Sequence, residues 1–258
     1  MRVVILGCGA AQGVPVWGLQ WGEGWGACDP HNPKNRRTRA SIFISQDNTS
    51  LLVDTSPDLK DQGFSNKITD IDGVLYTHAH ADHCHGINDL QFLARTWERL
   101  ISVYGTERTL KVLSERFNYA FETSSHAAPH HGAFLSPHHI KGPFQVKNLK
   151  VIPFEQDHGV EMSLGFRVDN FAYSTDVVQL NEAAFESLKG VDTWVVDCLR
   201  YEPNLTHAHL PLTLSWIERV RPRRAILTHL NFEMDYEALS KKLPPSVEVA
   251  YDGMVLEI

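Results

Sequence analysis

Thr77-His78-Ala79-His80-Ala81-Asp82-His83 follows directly on the apolar run Val74-Leu75-Tyr76. That run reads as a short buried strand, so the histidines leave its end into a loop. Side chains at a strand end can converge on one point, which residues spread around a helix cannot. His78 and His80 can face one metal ion while Asp82 and His83 turn toward a second. Neutral imidazoles and a hard carboxylate suit Zn²⁺, Mn²⁺ or Fe²⁺. A solvated histidine-rich turn explains a lone His-x-His well. It explains His-x-His-x-Asp-His behind a strand poorly.

Three more residues stand at similar places. His158 follows the strand candidate Val151–Phe154, Asp176 follows Phe171-Ala172-Tyr173-Ser174, and His229 follows Ala225-Ile226-Leu227-Thr228. Taken singly they read as a turn histidine, a helix N-cap and a satisfied core histidine. Recurrence at the ends of four strands turns the reading toward one site.

The 258 residues carry a net charge of −7, which argues against non-specific nucleic-acid binding and leaves RNA open. Fourteen histidines raise the expectation of a metal site. The four cysteines are scattered without a Cys-x-x-Cys, and no apolar run approaches the roughly 20 residues a membrane helix needs. A cytoplasmic chain with reduced thiols is expected, with no membrane partner.

Met1–Leu6 reads as a buried strand ending in the turn Gly7-Cys8-Gly9. Residues 13–38 read as an ordered loop in which Trp17, Trp21 and Trp25 are buried. Ser41–Ser45 and Ser50–Asp54 flank the hairpin signature Gln46-Asp47-Asn48-Thr49. Helical character follows at Ile87–Leu100, Thr106–Phe117, Leu212–Val220 and Tyr236–Leu243. Strands are expected at Leu149–Phe154, Leu164–Val168, Phe171–Ser174, Trp194–Asp197, Ala225–Thr228, Val247–Tyr251 and Met254–Ile258. Ser124–His139, with His126, His130, His131, His138 and His139, reads as a solvated loop. No repeat or mid-chain linker appears, so residues 1–258 are expected to form one domain.

The set His78, His80, Asp82, His83, His158, Asp176 and His229 resembles the signature of the metallo-β-lactamase superfamily. The resemblance implies an α/β (α+β) chain folded as an αββα sandwich with a dinuclear metal site at one edge. His78, His80 and His158 would hold the first ion, and Asp82, His83 and His229 the second. Asp176 would bridge them, and Asp82 would also serve in catalysis. Two divalent ions, Mn or Zn with Fe as a further option, activate water and neutralise an oxyanion. Asp54, closing Leu51-Leu52-Val53, resembles the superfamily's buried aspartate and is expected to orient a ligand.

Gly7-Cys8-Gly9-Ala10-Ala11-Gln12-Gly13-Val14-Pro15, Asn35-Arg36-Arg37-Thr38-Arg39-Ala40-Ser41, Leu227-Thr228-His229 and Tyr251-Asp252-Gly253-Met254 resemble the phosphoribosyl cyclic phosphodiesterases of phosphonate breakdown. The resemblance implies a phosphodiesterase for a small cyclic phosphate or nucleotide-like ester. Arg36, Arg37 and Arg39, and N–H groups of the Gly-rich turn, are candidate phosphate binders. The extra zinc of that branch is not expected here, since its loop retains only Cys28 and Phe232 stands at a ligand position. His207 and His209 are candidate general acids between a strand and a helix; the resemblance, through the interval of 22 residues before His229, implies His207, with His209 as the alternative or a phosphate contact. A thioester hydrolase of the glyoxalase II type and a non-catalytic metal- or nucleotide-binding sensor are the rival functions. A homodimer is compatible with the sequence.

Overall fold

Runs such as Val3-Val4-Ile5-Leu6 and Leu51-Leu52-Val53 have no polar alternation, so both faces of their strands must be covered. The computed structural model, which describes residues 1–20, 22–122 and 132–258, covers them with a second sheet on one side and helices on the other. The first half of the chain supplies β1 (Arg2–Gly7), β2 (Ser41–Gln46), β3 (Thr49–Val53), α1 (Leu59–Ser65), β4 (Gly73–Leu75), α2 (Ala81–Cys84), α3 (Leu90–Thr96), β5 (Ile101–Gly105), α4 (Glu107–Arg116), α5 (Asn118–Phe121) and β6 (Leu135–His139). The second half supplies β7 (Phe144–Val146), β8 (Leu149–Asp157), β9 (Met162–Val168), β10 (Phe171–Ser174), α6 (Glu182–Leu188), β11 (Thr193–Asp197), α7 (Leu210–Val220), β12 (Arg224–Thr228), α8 (Tyr236–Ser240), β13 (Val247–Val249) and β14 (Met254–Glu257).

Among the described residues, the strands form two seven-stranded sheets, β14-β1-β2-β3-β4-β5-β6 and β13-β12-β11-β10-β9-β8-β7. In each, antiparallel pairings give way to parallel ones, from β3 to β6 and from β10 to β13. Val3, Ile5, Ile44 and Val53 meet Leu164, Phe166, Tyr173 and Val195 between the sheets. The alternate residues Val4, Leu6 and Leu52 pack under the helices of the first half. Trp194, Val196 and Leu227 pack with α7 residues on the other side. This is the αββα sandwich the sequence predicts.

The parallel strands place their carboxyl ends along one edge, where open α/β sheets bind ligands. Asp54, Asp176 and His229 each follow such a strand with φ of 63°, 55° and 59°. A left-handed backbone in non-glycine residues is costly and collects at functional sites.

Several expectations are corrected. His138 and His139 lie in β6, not in a loop. Among the described residues that strand pairs only with β5, at the sheet edge, with most of its residues exposed, so it leaves no apolar pattern to read. Trp17 is fully exposed rather than packed in its loop, and Trp25 is half-buried. Trp21, His126, His130 and His131 lie outside the described residues. The helix expected from Leu212 starts at Leu210, with Pro211 in its first turn, where the lost N–H has no helical partner anyway. Among the described residues, no helix is long and apolar enough to cross a membrane.

Candidate metal centre

The β4 exit and α2 present His78, His80, Asp82 and His83, the β8–β9 turn presents His158, and the ends of β10 and β12 present Asp176 and His229. Their donor atoms fall into two groups, His78–His80–His158–Asp176 and Asp82–His83–Asp176–His229, within each of which the atoms lie within 4.8 Å of one another. Asp176 belongs to both. Its Oδ1 is 3.8 Å from His78 Nε2 and 3.6 Å from His158 Nε2, and its Oδ2 is 3.0 Å from His83 Nε2 and 3.5 Å from His229 Nε2. Asp82 Oδ2 is 3.1 Å from His83 Nε2 and 3.5 Å from His229 Nε2.

Partners behind the rings decide which nitrogen faces inward. His83 Nδ1 donates to Asp54 Oδ2 at 2.7 Å, and His158 Nδ1 donates to the Thr206 carbonyl at 2.7 Å. Thr77 Oγ1 donates to Asp54 Oδ2 at 2.8 Å and accepts from His78 Nδ1 at 3.0 Å. Asp54, wholly buried and also bound by the Thr77 N–H, thus steadies two histidines, as expected. Each of the three rings turns Nε2 inward.

The donor set fits divalent cations. Among the described residues, His78 Nε2 and His229 Nε2 are buried without a hydrogen-bond partner, an expensive state for polar nitrogens unless a cation completes them. Burial and the neighbouring His83 hold His78 well below the usual imidazole range, and burial also lowers His158, so both are neutral donors. Burial works against charge on His83 too, but Asp176, Asp82 and Asp54 outweigh it and keep a proton there. The pocket therefore demands positive charge. Asp176 and Asp82, despite burial, are held low by surrounding histidines and remain ionised.

The structure separates the two candidate acids. His207 joins the cluster, its Nε2 3.9 Å from Asp176 Oδ1 and its ring stacked on His229 at 4.7 Å. Its Nδ1 lies 3.1 Å from Asp197 Oδ2. His209 instead occupies the N-cap position of α7, makes no side-chain cap bond and belongs to none of the donor groups among the described residues. Asp197 was not singled out from the sequence. It closes the apolar run Trp194-Val195-Val196 just as Asp54 closes Leu51-Leu52-Val53, so the signal was there.

The arginines do not act as one patch. Arg37 is buried, donating to the backbone carbonyls of Asn231 at 3.0 Å and Met234 at 2.6 Å, so its reading as a phosphate binder is corrected. Arg39 pairs with Asp58 at 3.0 Å, and Arg36 is exposed over the Trp25 ring. The Gly-rich turn is corrected as well: the N–H groups of Cys8, Gly9 and Ala10 are bound to Asp252, Thr38 and Leu230. Cys28 Sγ accepts from Arg37 at 3.8 Å and lies in no metal group among the described residues.

Comparison with known proteins agrees with this geometry. The family model of the beta-lactamase superfamily domain matches residues 49–230, a span that holds all seven candidate ligands. The chain belongs to the metallo-β-lactamase superfamily. The crystal structure of a new diphosphatase from the PhnP family superposes with a TM-score of 0.89 at 30% identity, covering 100% of this chain and 97% of that one, in keeping with the branch read from the sequence. Zn²⁺-bound PqqB from Methylobacterium extorquens shares the fold, with a TM-score of 0.77 at 22% identity and full coverage of both chains. An octanoyltransferase of Porphyromonas gingivalis is 30% identical over 98% of this chain but 51% of its own length. The chain spans about half the length of the curated relatives it matches.

Proposed function

We propose that residues 1–258 form one catalytic domain, a dinuclear metal-dependent phosphodiesterase acting in the cytoplasm on a small cyclic phosphate or nucleotide-like ester. The observation that carries this reading is Asp176, a buried carboxylate shared by two histidine groups with the His207 imidazole facing it. His78, His80 and His158 would hold one ion, Asp82, His83 and His229 the other, with Asp176 between. Mn²⁺ or Zn²⁺ bound there supplies water activation and neutralises developing negative charge.

The chain's own residues complete the chemistry. Asp82, ionised and facing the same space, accepts the proton of the attacking water. His207 is charged because Asp197 accepts from Nδ1, with its pKa raised to about 9 against the effect of burial. It delivers the Nε2 proton to the departing oxygen, which a poor leaving group requires. The diphosphatase relative supports a phosphorus ester over a thioester, and so does a proton donor set beside the ligands.

A panel of cyclic and linear phosphodiesters, small diphosphate esters and thioesters, assayed with Mn²⁺ and with Zn²⁺, tests the proposal. Turnover of at least one phosphodiester that stops on chelation is the expected result. A metal-loaded protein inert on every phosphorus ester yet active on a thioester would replace this reading with the thioesterase one.

A further inference from the structure

His80 is the odd member of the first group. Its side chain is 41% exposed, whereas His78 and His158 are at 0% and 2%. Its ring is also reversed. Nδ1, not Nε2, faces the cluster, 3.2 Å from His158 Nε2, while Nε2 lies 2.9 Å from Glu161 Oε1. The walls that clamp the other rings do not reach this one, so something else must fix both its orientation and its tautomer.

We infer that Glu161 is the positioning residue for His80, holding the proton on Nε2 so that Nδ1 is the ligand atom. The local fold makes this placement tight. His158 and Glu161 flank the two-residue turn Gly159-Val160, closed by the His158 N–H donating to the Glu161 carbonyl at 2.9 Å. Gly159 has φ 82°, and a Cβ there would strike the Leu205 carbonyl, so the turn is held against the loop that carries His207. One turn thus supplies the ligand His158 and the carboxylate that sets the ligand His80. Arg108, at the start of α4, lies 3.6 Å from Glu161 Oε2. The inference rests on the metal-centre reading but not on any substrate.

The test counts metal rather than turnover. Full-length protein is dialysed against graded free Zn²⁺ and the bound metal measured by mass spectrometry. Glu161→Leu should weaken one of the two equivalents by roughly 10–100-fold, the usual effect of losing a partner behind a ligand. Glu161→Gln, whose amide oxygen still accepts from Nε2, should recover most of that loss. With Co²⁺ in place of zinc, Glu161→Leu should shift the visible d–d bands, and Glu161→Gln should restore them. In a His80→Ala background, Glu161→Leu should change affinity less than about twofold, because residues acting through one contact are not additive. Wild-type affinity in Glu161→Leu, or a tenfold further loss in the His80→Ala background, would overturn the inference. A wild-type chain that binds no zinc would instead remove the metal centre itself.

Discussion

Asp197 Oδ2 accepts from His207 Nδ1 at 3.1 Å and from the Val177 N–H at 3.0 Å, so one buried carboxylate ties the loop after β11 to the loop after β10. Asp176 sits on the second loop and His207 on the first. His207 and Asp176 are therefore held in mutual register by Asp197. Asp197 Oδ1 lies 4.0 Å from His229 Nδ1, beyond hydrogen-bond reach.

His207→Ala should keep both metal equivalents and lower kcat by roughly 10²–10⁴-fold, the share expected of acid catalysis. The deficit should shrink on a nitrophenyl ester, whose leaving group needs little protonation. Asp197→Asn should reproduce part of this loss, since an amide at Oδ2 cannot fix the tautomer as the carboxylate does. Equal impairment of His207→Ala on good and poor leaving groups would remove His207 from the acid role.

Asp176→Ala deletes the carboxylate common to both groups. The variant should retain fewer than two metal equivalents after dialysis and lose at least about 10²-fold in kcat, given the several kcal/mol that metal ions contribute to such transition states. Elemental analysis beside the rate assay decides it. A single ion in fully active wild-type protein would defeat the dinuclear reading.

Much of this site was legible because its residues sit where strands end. His78, Asp176 and His229 each follow an unbroken apolar run, and apolar runs are what a sequence displays most plainly. Asp54, which also closes such a run, was reached through its resemblance to the superfamily's buried aspartate, and Asp197 obeyed the strand-end rule unnoticed. Glu161 was not legible: it lies in a turn, and its meaning comes from the reversed ring of His80, a rotamer no pattern records. The arginines misled for a related reason. Arg36-Arg37-Thr38-Arg39 is a basic run in the sequence, yet alternate residues of an extended segment face opposite ways, so Arg37 points into the protein while Arg36 points out. The edge strand at Leu135–His139 escaped because exposure on a sheet edge removes the apolar signal.

Arg37→Ala should destabilise the fold by about 3 kcal/mol, because the carbonyls of Asn231 and Met234 lose a charged donor in a buried place. Arg36→Ala, on the exposed side, should stay within about 0.5 kcal/mol. Cys28→Ser should leave metal content unchanged. Urea unfolding of the variants, with metal analysis of the last, checks all three. A destabilised Arg36→Ala beside a neutral Arg37→Ala would contradict the packing described here.

The same Asp197–His207 contact makes a prediction for protein stripped of metal by chelation. Burial alone would lower the His207 pKa, but Asp197 outweighs it, Asp176 adds to the effect, and the value rises from 6.5 to about 9. A histidine whose folded value is raised contributes stability that is complete below the unfolded value. That stability is lost as pH climbs through the folded one. The window therefore runs from about pH 6.5 to about pH 9. A difference of this size corresponds to on the order of 3 kcal/mol. His207→Gln cannot titrate, so the stability of wild type minus that of the variant should fall by this amount across the window and stay flat below it. Urea unfolding of both stripped proteins at intervals from pH 6 to about pH 10 measures the difference directly. Two stability curves that run parallel through the window would mean that Asp197 does not hold a charged His207.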